Sequence, residues 1–306
     1  MTKTAFLFAG QGAQYLGMGR DLYDKYDQVK ETFQEASRIL GYDLRDLIDN
    51  EEAKLNQTRY TQPAILTTSV AIYRLLESAG VRPDMVAGLS LGEYSALVAA
   101  GSLNFEDAVS LVAKRGAYME EAAPAGSGKM VAVLNTDVAV IEKVCQEASH
   151  FGVVTPANYN TPSQIVIGGE VLAVDKAVEL LQAEGAKRLI PLKVSGPFHT
   201  ALLEPASQKL AKVLETVDFS DFLFPVVGNT EAQVMKLEQI KTLLTRQVKE
   251  PVRFYESIAA MQELGIKDFV EIGPGKVLSG FIKKIDKTAS ISNVEDLESL
   301  DAFLAR

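Results

Sequence analysis

The chain has 306 residues, 47% hydrophobic and 23% charged, which allows one large core or two smaller ones and argues against a disordered or fibrous chain. Its net charge of −9 lacks the basic footprint of a nucleic-acid binder, so an acidic partner would have to meet a local basic patch. The lone Cys145 leaves no intramolecular disulfide, and with no signal-peptide pattern and no run of ~20 apolar residues the expectation is a cytoplasmic protein without a membrane span.

The first element is a buried strand, TAFLFA at 4–9, followed by the glycine-rich GQGAQYLGMG. From Asp21 a helix is expected, because Leu22, Tyr26, Val29, Phe33, Ala36 and Leu40 recur at helical spacing. A second helix is expected over 62–79, closed by Gly80. Met85–Ala87 reads as a short strand, Gly88–Gly92 as a sharp turn, Glu93–Ala100 as a helix and 105–122 as an amphipathic helix. The pattern then changes. PAGSG at 124–128 reads as a loop or hinge, and strands and helices follow in the order βαββαβ: strand 129–135, helix 137–150, strands 153–158 and 164–167, helix 171–184, strand 187–194. That order fits a ferredoxin-like unit of about 70 residues. Beyond it come helices at 201–216, 238–247 and 254–264 and strands near 224–227 and at 268–272. The expected fold is α/β: a large α/β-hydrolase-like domain, residues 1–125 and 199–306, with an inserted ferredoxin-like subdomain over 126–198.

Gly88-Leu89-Ser90-Leu91-Gly92 matches the nucleophile-elbow pattern G-x-S-x-G, between a strand and a helix. Small glycines permit a tight turn there, and a helix N-terminus offers free N–H groups to an oxyanion. A glycine-rich turn with a serine N-cap would fit the bare pentapeptide about as well; the strand-to-helix context favours a nucleophile. Such a serine needs a base, and the chain has only two histidines. His150 ends a helix of the small unit and reads as a surface residue. His199 falls where the chain re-enters the large domain, a setting in which clefts form, and is the better base by elimination, although a helix-entry histidine is the plain alternative.

Arg115 shares a helix face with Ala108, Leu111, Val112 and Met119. It either snorkels, pairs with Glu120 or Glu121, or binds an anionic acyl group through a bidentate contact. The loop Gly10-Gln11-Gly12-Ala13-Gln14-Tyr15 lacks the third glycine of a dinucleotide fingerprint. It reads either as a structural turn or as the source of an oxyanion N–H. No metal cluster, no bound cofactor and no triad acid are evident.

Together these segments closely resemble the malonyl-CoA:acyl carrier protein transacylases of type II fatty acid synthesis. The resemblance is carried by FAGQGAQ at 8–14, GLSLGEYSAL at 88–97, RGAYMEEA at 115–122, ANYNTPSQIVIGG at 157–169, SGPFHTALL at 195–203 and RQVKEPVRF at 246–254. It implies that Ser90 carries malonyl as an ester, that His199 is the base, and that Arg115 binds the malonyl carboxylate. It further implies an oxyanion hole from the N–H groups of Gln11 and Leu91. Gln247 would orient His199 through its carbonyl, and Phe198 would select malonyl over methylmalonyl. The implied partners are malonyl-CoA and the acidic acyl carrier protein, for which Lys187, Arg188, Lys283 and Lys284 are candidate contacts. The family usually has histidine before the nucleophile, and this chain has Leu89. A serine esterase or thioesterase and a non-catalytic carrier-binding scaffold are the rival readings.

Overall fold

The computed structural model describes residues 2–124, 126–193 and 196–306. Ala125 of the expected hinge, Val194 at the end of the expected 187–194 strand and Ser195 of SGPFHTALL lie outside the described residues.

The larger sheet holds β1 (Lys3–Phe8), β2 (Met85–Gly88), β7 (Val226–Val227), β8 (Ile266–Ile272) and β9 (Ser290–Val294), in the order β7-β2-β1-β8-β9. Every pairing in it is parallel. A parallel sheet is covered on both faces, so its central strands carry apolar residues on both, as in the AFLF of β1 and the MVAG of β2. In β1, Phe6 and Phe8 enter the main core with the long helices, while Ala5 and Leu7 enter a second core with Phe254, Ile258 and Phe269. The alternation follows from the two-residue period of a strand.

The smaller sheet holds β3 (Lys129–Leu134), β4 (Val154–Thr161), β5 (Gln164–Gly169) and β6 (Arg188–Pro191), ordered β4-β5-β3-β6 and antiparallel throughout. Helices Val138–Ala148 and Val171–Ala183 cover one face, where Val131, Val133, Ile165 and Ile167 meet Ile141, Val144, Ala177 and Leu181. Met130, Ala132 and Val166 point the other way and join the main core. The molecule is thus an α/β-hydrolase-like parallel sheet carrying a ferredoxin-like βαββαβ unit.

Several elements differ from the sequence expectation. The helix expected from Asp21 breaks at Tyr26, whose backbone is extended (φ −113, ψ 120), giving Arg20–Lys25 and Asp27–Leu40. The 62–79 helix begins earlier, at Thr58, with Pro63 inside it. Helices Leu44–Asn50, Val277–Ile285 and Leu297–Leu304 and strand β9 were not anticipated. Among the described residues no helix is long and apolar enough to cross a membrane.

Candidate active site

The site forms at the C-terminal ends of the parallel strands, where open α/β sheets place their ligands. β2 ends at Gly88 and the next helix starts at Gly92, leaving three residues to reverse the chain. A Cβ on Gly88 would lie 2.0 Å from the Gly92 carbonyl carbon, and one on Gly92 would lie 2.0 Å from the Phe8 carbonyl oxygen. The flanking glycines are therefore required by close approach. The left-handed conformation is carried by Ser90 itself, at φ 53, which costs a non-glycine residue roughly 1–2 kcal/mol. Among the described residues only four non-glycines have positive φ, and Ser90 and His199 (φ 59) are two of them. Such strain concentrates where a site needs it.

Ser90 Oγ lies 2.8 Å from His199 Nε2, and His199 Nδ1 lies 2.7 Å from the Gln247 carbonyl oxygen. A carbonyl only accepts, so Nδ1 carries the proton and Nε2 of the neutral ring is left to accept from the Ser90 hydroxyl. Burial first, then the Arg115 charge, push the imidazole down to about 4, against the Gln247 and Glu250 backbone carbonyls that hold it up. The ring is consequently neutral near pH 7, the form a general base requires.

Arg115 is 1% exposed. Its Nη1 donates to Gln62 Oε1 at 2.8 Å, and its Nη2 donates to Ser90 Oγ and to Gln247 Oε1, each at 3.0 Å. Its guanidinium also stands 5.3 Å from the centre of the Tyr94 ring. Glu120 pairs with Arg59 and Glu121 with Lys209, so neither is the partner of Arg115: on their helix they turn outward while residue 115 turns in. A buried cation whose hydrogen bonds all go to neutral groups is expensive unless an anion completes it.

Gly10 brings the first loop against the elbow, where a Cβ would stand 2.4 Å from the Leu89 carbonyl oxygen. The Gln11 side chain is held by Thr58 Oγ1 at 3.1 Å. Among the described residues the N–H groups of Gln11 and Leu91 donate to no protein acceptor. Ser90 and His199 open into a cavity of about 550 Å³, lined by the Gly10–Gln14 loop, Leu89, Phe198, Leu278 and Phe281 and by Met130, Asn158, Asn160 and Val166 of the smaller sheet. Phe198 is buried directly beside His199. Lys193, exposed, also lines the cavity. His150 is exposed in the short helix Ser149–Phe151, outside this cluster.

Besides Gln62, two further buried residues that hold the elbow were not singled out in the sequence. Asn229, just past β7, accepts the Ser90 N–H on Oδ1 and donates from Nδ2 to the Gly88 carbonyl, both at 2.6 Å. Glu93 accepts the Asn229 N–H on Oε2 at 2.6 Å, and burial pushes its carboxyl up to about 7. The one local signal for Glu93 is a charge in the otherwise apolar helix GEYSALVA; Asn229 has no such signal.

The model of the acyl transferase domain family matches residues 5–300. The malonyl CoA-acyl carrier protein transacylase of Bacillus subtilis (strain 168) is 47% identical over 304 residues, covering 97% of this chain and 96% of that protein. The chain belongs to the malonyl CoA-acyl carrier protein transacylase family. Its fold agrees with two solved members, each covering 99% of both chains at a TM-score of 0.97. One is MCAT from Streptococcus pneumoniae, 78% identical. The other is a malonyl-transacylase, 45% identical, solved in complex with its holo type II PKS acyl-carrier protein. The chain is therefore an acyltransferase.

Proposed function

We propose that the enzyme moves a malonyl group from malonyl-CoA to the phosphopantetheine thiol of acyl carrier protein, by a ping-pong route through a malonyl-Ser90 ester, in cytoplasmic fatty acid biosynthesis. The observation that carries this reading is the double contact on one oxygen: Ser90 Oγ has a neutral imidazole at 2.8 Å and a guanidinium at 3.0 Å. The imidazole takes the proton, and the guanidinium favours the developing negative charge.

In the first half-reaction the Ser90 oxygen attacks the thioester carbonyl while its proton passes to His199 Nε2. The N–H groups of Gln11 and Leu91, without a protein acceptor among the described residues, receive the carbonyl oxygen as it gains charge. Collapse of the adduct breaks the C–S bond, and His199 returns the proton to the departing thiolate of CoA. Once Ser90 is an ester its oxygen is a poor acceptor, so Arg115 Nη2 is released to the malonyl carboxylate that now hangs beside it. The carrier thiol then repeats the steps in reverse. Phe198 narrows the space next to the acyl α-carbon and favours malonyl over methylmalonyl.

In this reading residues 1–125 and 199–306 supply the nucleophile, base, anion clamp and oxyanion donors, and 126–198 supplies Phe198 and the strand residues that line the cavity, so the transfer draws on no bound metal or cofactor. Lys187, Arg188, Lys283 and Lys284 are exposed, and with Lys193 at the cavity they offer an acidic carrier a basic approach.

Intact-mass analysis after mixing with malonyl-CoA should show one malonyl adduct, absent from Ser90→Ala, and discharge to carrier protein should be much faster than discharge to water. Rapid release of free malonate without carrier would replace this reading with that of a thioesterase.

A further inference from the structure

Both peptide groups flanking the Ser90 Cα are tied to side chains far along the chain. Gln247 Nε2 donates to the Ser90 carbonyl at 2.9 Å. On the other side the Asn229 amide spans the elbow, taking the Ser90 N–H on Oδ1 and giving Nδ2–H to Gly88, each at 2.6 Å. Fixing one peptide on each side of a Cα fixes its φ and ψ, and here it holds Ser90 in a backbone region that a non-glycine residue otherwise leaves. Asn229 is 1% exposed and is itself held: its N–H goes to Glu93 Oε2 at 2.6 Å, and its carbonyl accepts the Arg253 N–H at 2.9 Å. Glu93 lies on the helix that the elbow starts. The bonds therefore close a ring from Ser90 through that helix to Glu93, Asn229 and back to Ser90.

We infer that Asn229 is a positioning residue for acyl transfer, anchored by Glu93, which keeps the Ser90 hydroxyl on His199 and leaves the Leu91 N–H free for the acyl oxygen. Two features separate this role from ordinary core packing. Both ends of the Asn229 amide are spent on the backbone of the elbow, one on the Ser90 N–H and the other on the Gly88 carbonyl where β2 ends. In addition, the Ser90 N–H is a second donor close to the reacting atoms. Capturing it on Asn229 removes a competitor that would otherwise draw the acyl oxygen away from the Leu91 N–H. Loss of the amide lets the backbone of Ser90 relax, and a shift of about 1 Å in a nucleophile is enough to cost on the order of 100-fold in rate.

The inference rests on the malonyl-Ser90 reading, and the test separates the two. Quenched-flow intact-mass analysis of the full chain gives the rate of Ser90 acylation by malonyl-CoA. Calorimetry on Ser90→Ala and on Ser90→Ala/Asn229→Ala gives malonyl-CoA affinity without chemistry. Asn229→Ala should acylate roughly 100-fold more slowly, with affinity changed by less than about twofold. Glu93→Gln, which keeps an acceptor for the Asn229 N–H, should lose only about fivefold. Should Asn229→Ala fail to fold, Asn229→Asp keeps Oδ1 but turns an oxygen on Gly88, and should still slow acylation by at least about tenfold at unchanged affinity. Acylation within about threefold of the unsubstituted enzyme, or affinity lost in step with rate, overturns the positioning role. Absence of an adduct on the unsubstituted enzyme overturns the malonyl-Ser90 reading, and this inference with it.

Discussion

The parallel and antiparallel sheets both face the cavity, but with different kinds of group. The parallel sheet ends in polar loops: Gln11 after β1, Ser90 after β2 and Asn229 after β7. There Ser90 and Asn229 are buried, Gln11 is half-buried, and the bonds run across the sequence, as from Ser90 to Asn229 or from His199 to Gln247. The antiparallel sheet presents the middle of its strands, with Met130 and Val166 forming an apolar wall and Asn158 and Asn160 a polar edge. Among the described residues Asn160 Oδ1 is buried without a partner. In the proposed mechanism one region fixes the reacting atoms, and the other shapes the space they work in. Substitutions in the first should therefore change rate constants, and those in the second should change preference.

The largest effect is expected at His199. His199→Ala should slow acylation of Ser90 by roughly 10³-fold, the contribution of a positioned general base, with malonyl-CoA affinity retained. A quenched-flow rate within tenfold of the unsubstituted enzyme would assign the base to another group. With the imidazole pushed down to about 4, acylation should stay flat from neutral pH down to about pH 5.

Arg115→Ala should come next. A charge-assisted contact to the malonyl carboxylate contributes ~1.5–3 kcal/mol, so kcat/KM for malonyl-CoA should fall by about 10–100-fold while that for acetyl-CoA changes far less. Equal losses for the two substrates would mean that Arg115 serves Ser90 Oγ alone and not the acyl carboxylate.

These two residues also mark how far the sequence could be read. The strand, the elbow and the helix behind it follow from local pattern, and two histidines left little choice of base. The inward face of Arg115 followed from helical spacing, but its partners did not. Gln62 and Gln247 lie 53 and 132 residues away, and no periodicity links such positions. Asn229 was hidden for the same reason, standing 139 residues from the N–H it holds. The break at Tyr26 was invisible because the apolar spacing runs through it; only the extended backbone there divides the helix. The helix Val277–Ile285 was missed because Gly273 and Gly275 just before it and Gly280 inside it read as loop signals.

Acid should act on stability through the same buried site. The unfolded His199 titrates near 6.5 and the folded one near 4. Between those values the unfolded chain binds the extra proton, so stability is lost as pH falls through the window, by at most about 3 kcal/mol. Glu93 runs the other way: its folded value is raised from 4.5 to about 7, so its contribution is present at low pH and lost as pH rises through that range. The two act in opposite directions in the unsubstituted enzyme. His199→Gln removes one side of the balance, and urea unfolding should show its stability gaining on that of the unsubstituted enzyme as pH is lowered from 7 to 4. A constant difference between the two proteins would mean that His199 is not buried neutral.

The smallest effect is expected on the antiparallel wall. Met130 lines the cavity from β3 and touches none of the hydrogen bonds around Ser90 Oγ. Met130→Ala enlarges the cavity and removes a buried side chain, which costs about 2 kcal/mol or more of stability at a packed position. Acylation by malonyl-CoA should stay within about threefold, because the base, the guanidinium and the elbow keep their geometry, while relative use of a bulkier acyl-CoA should rise several-fold. Competition between malonyl-CoA and a larger acyl-CoA, read by the mass of the Ser90 adduct, measures both quantities at once. If Met130→Ala instead slows malonyl acylation as severely as Arg115→Ala, the wall is holding the reacting atoms as well, and the division of labour between the two sheets does not stand.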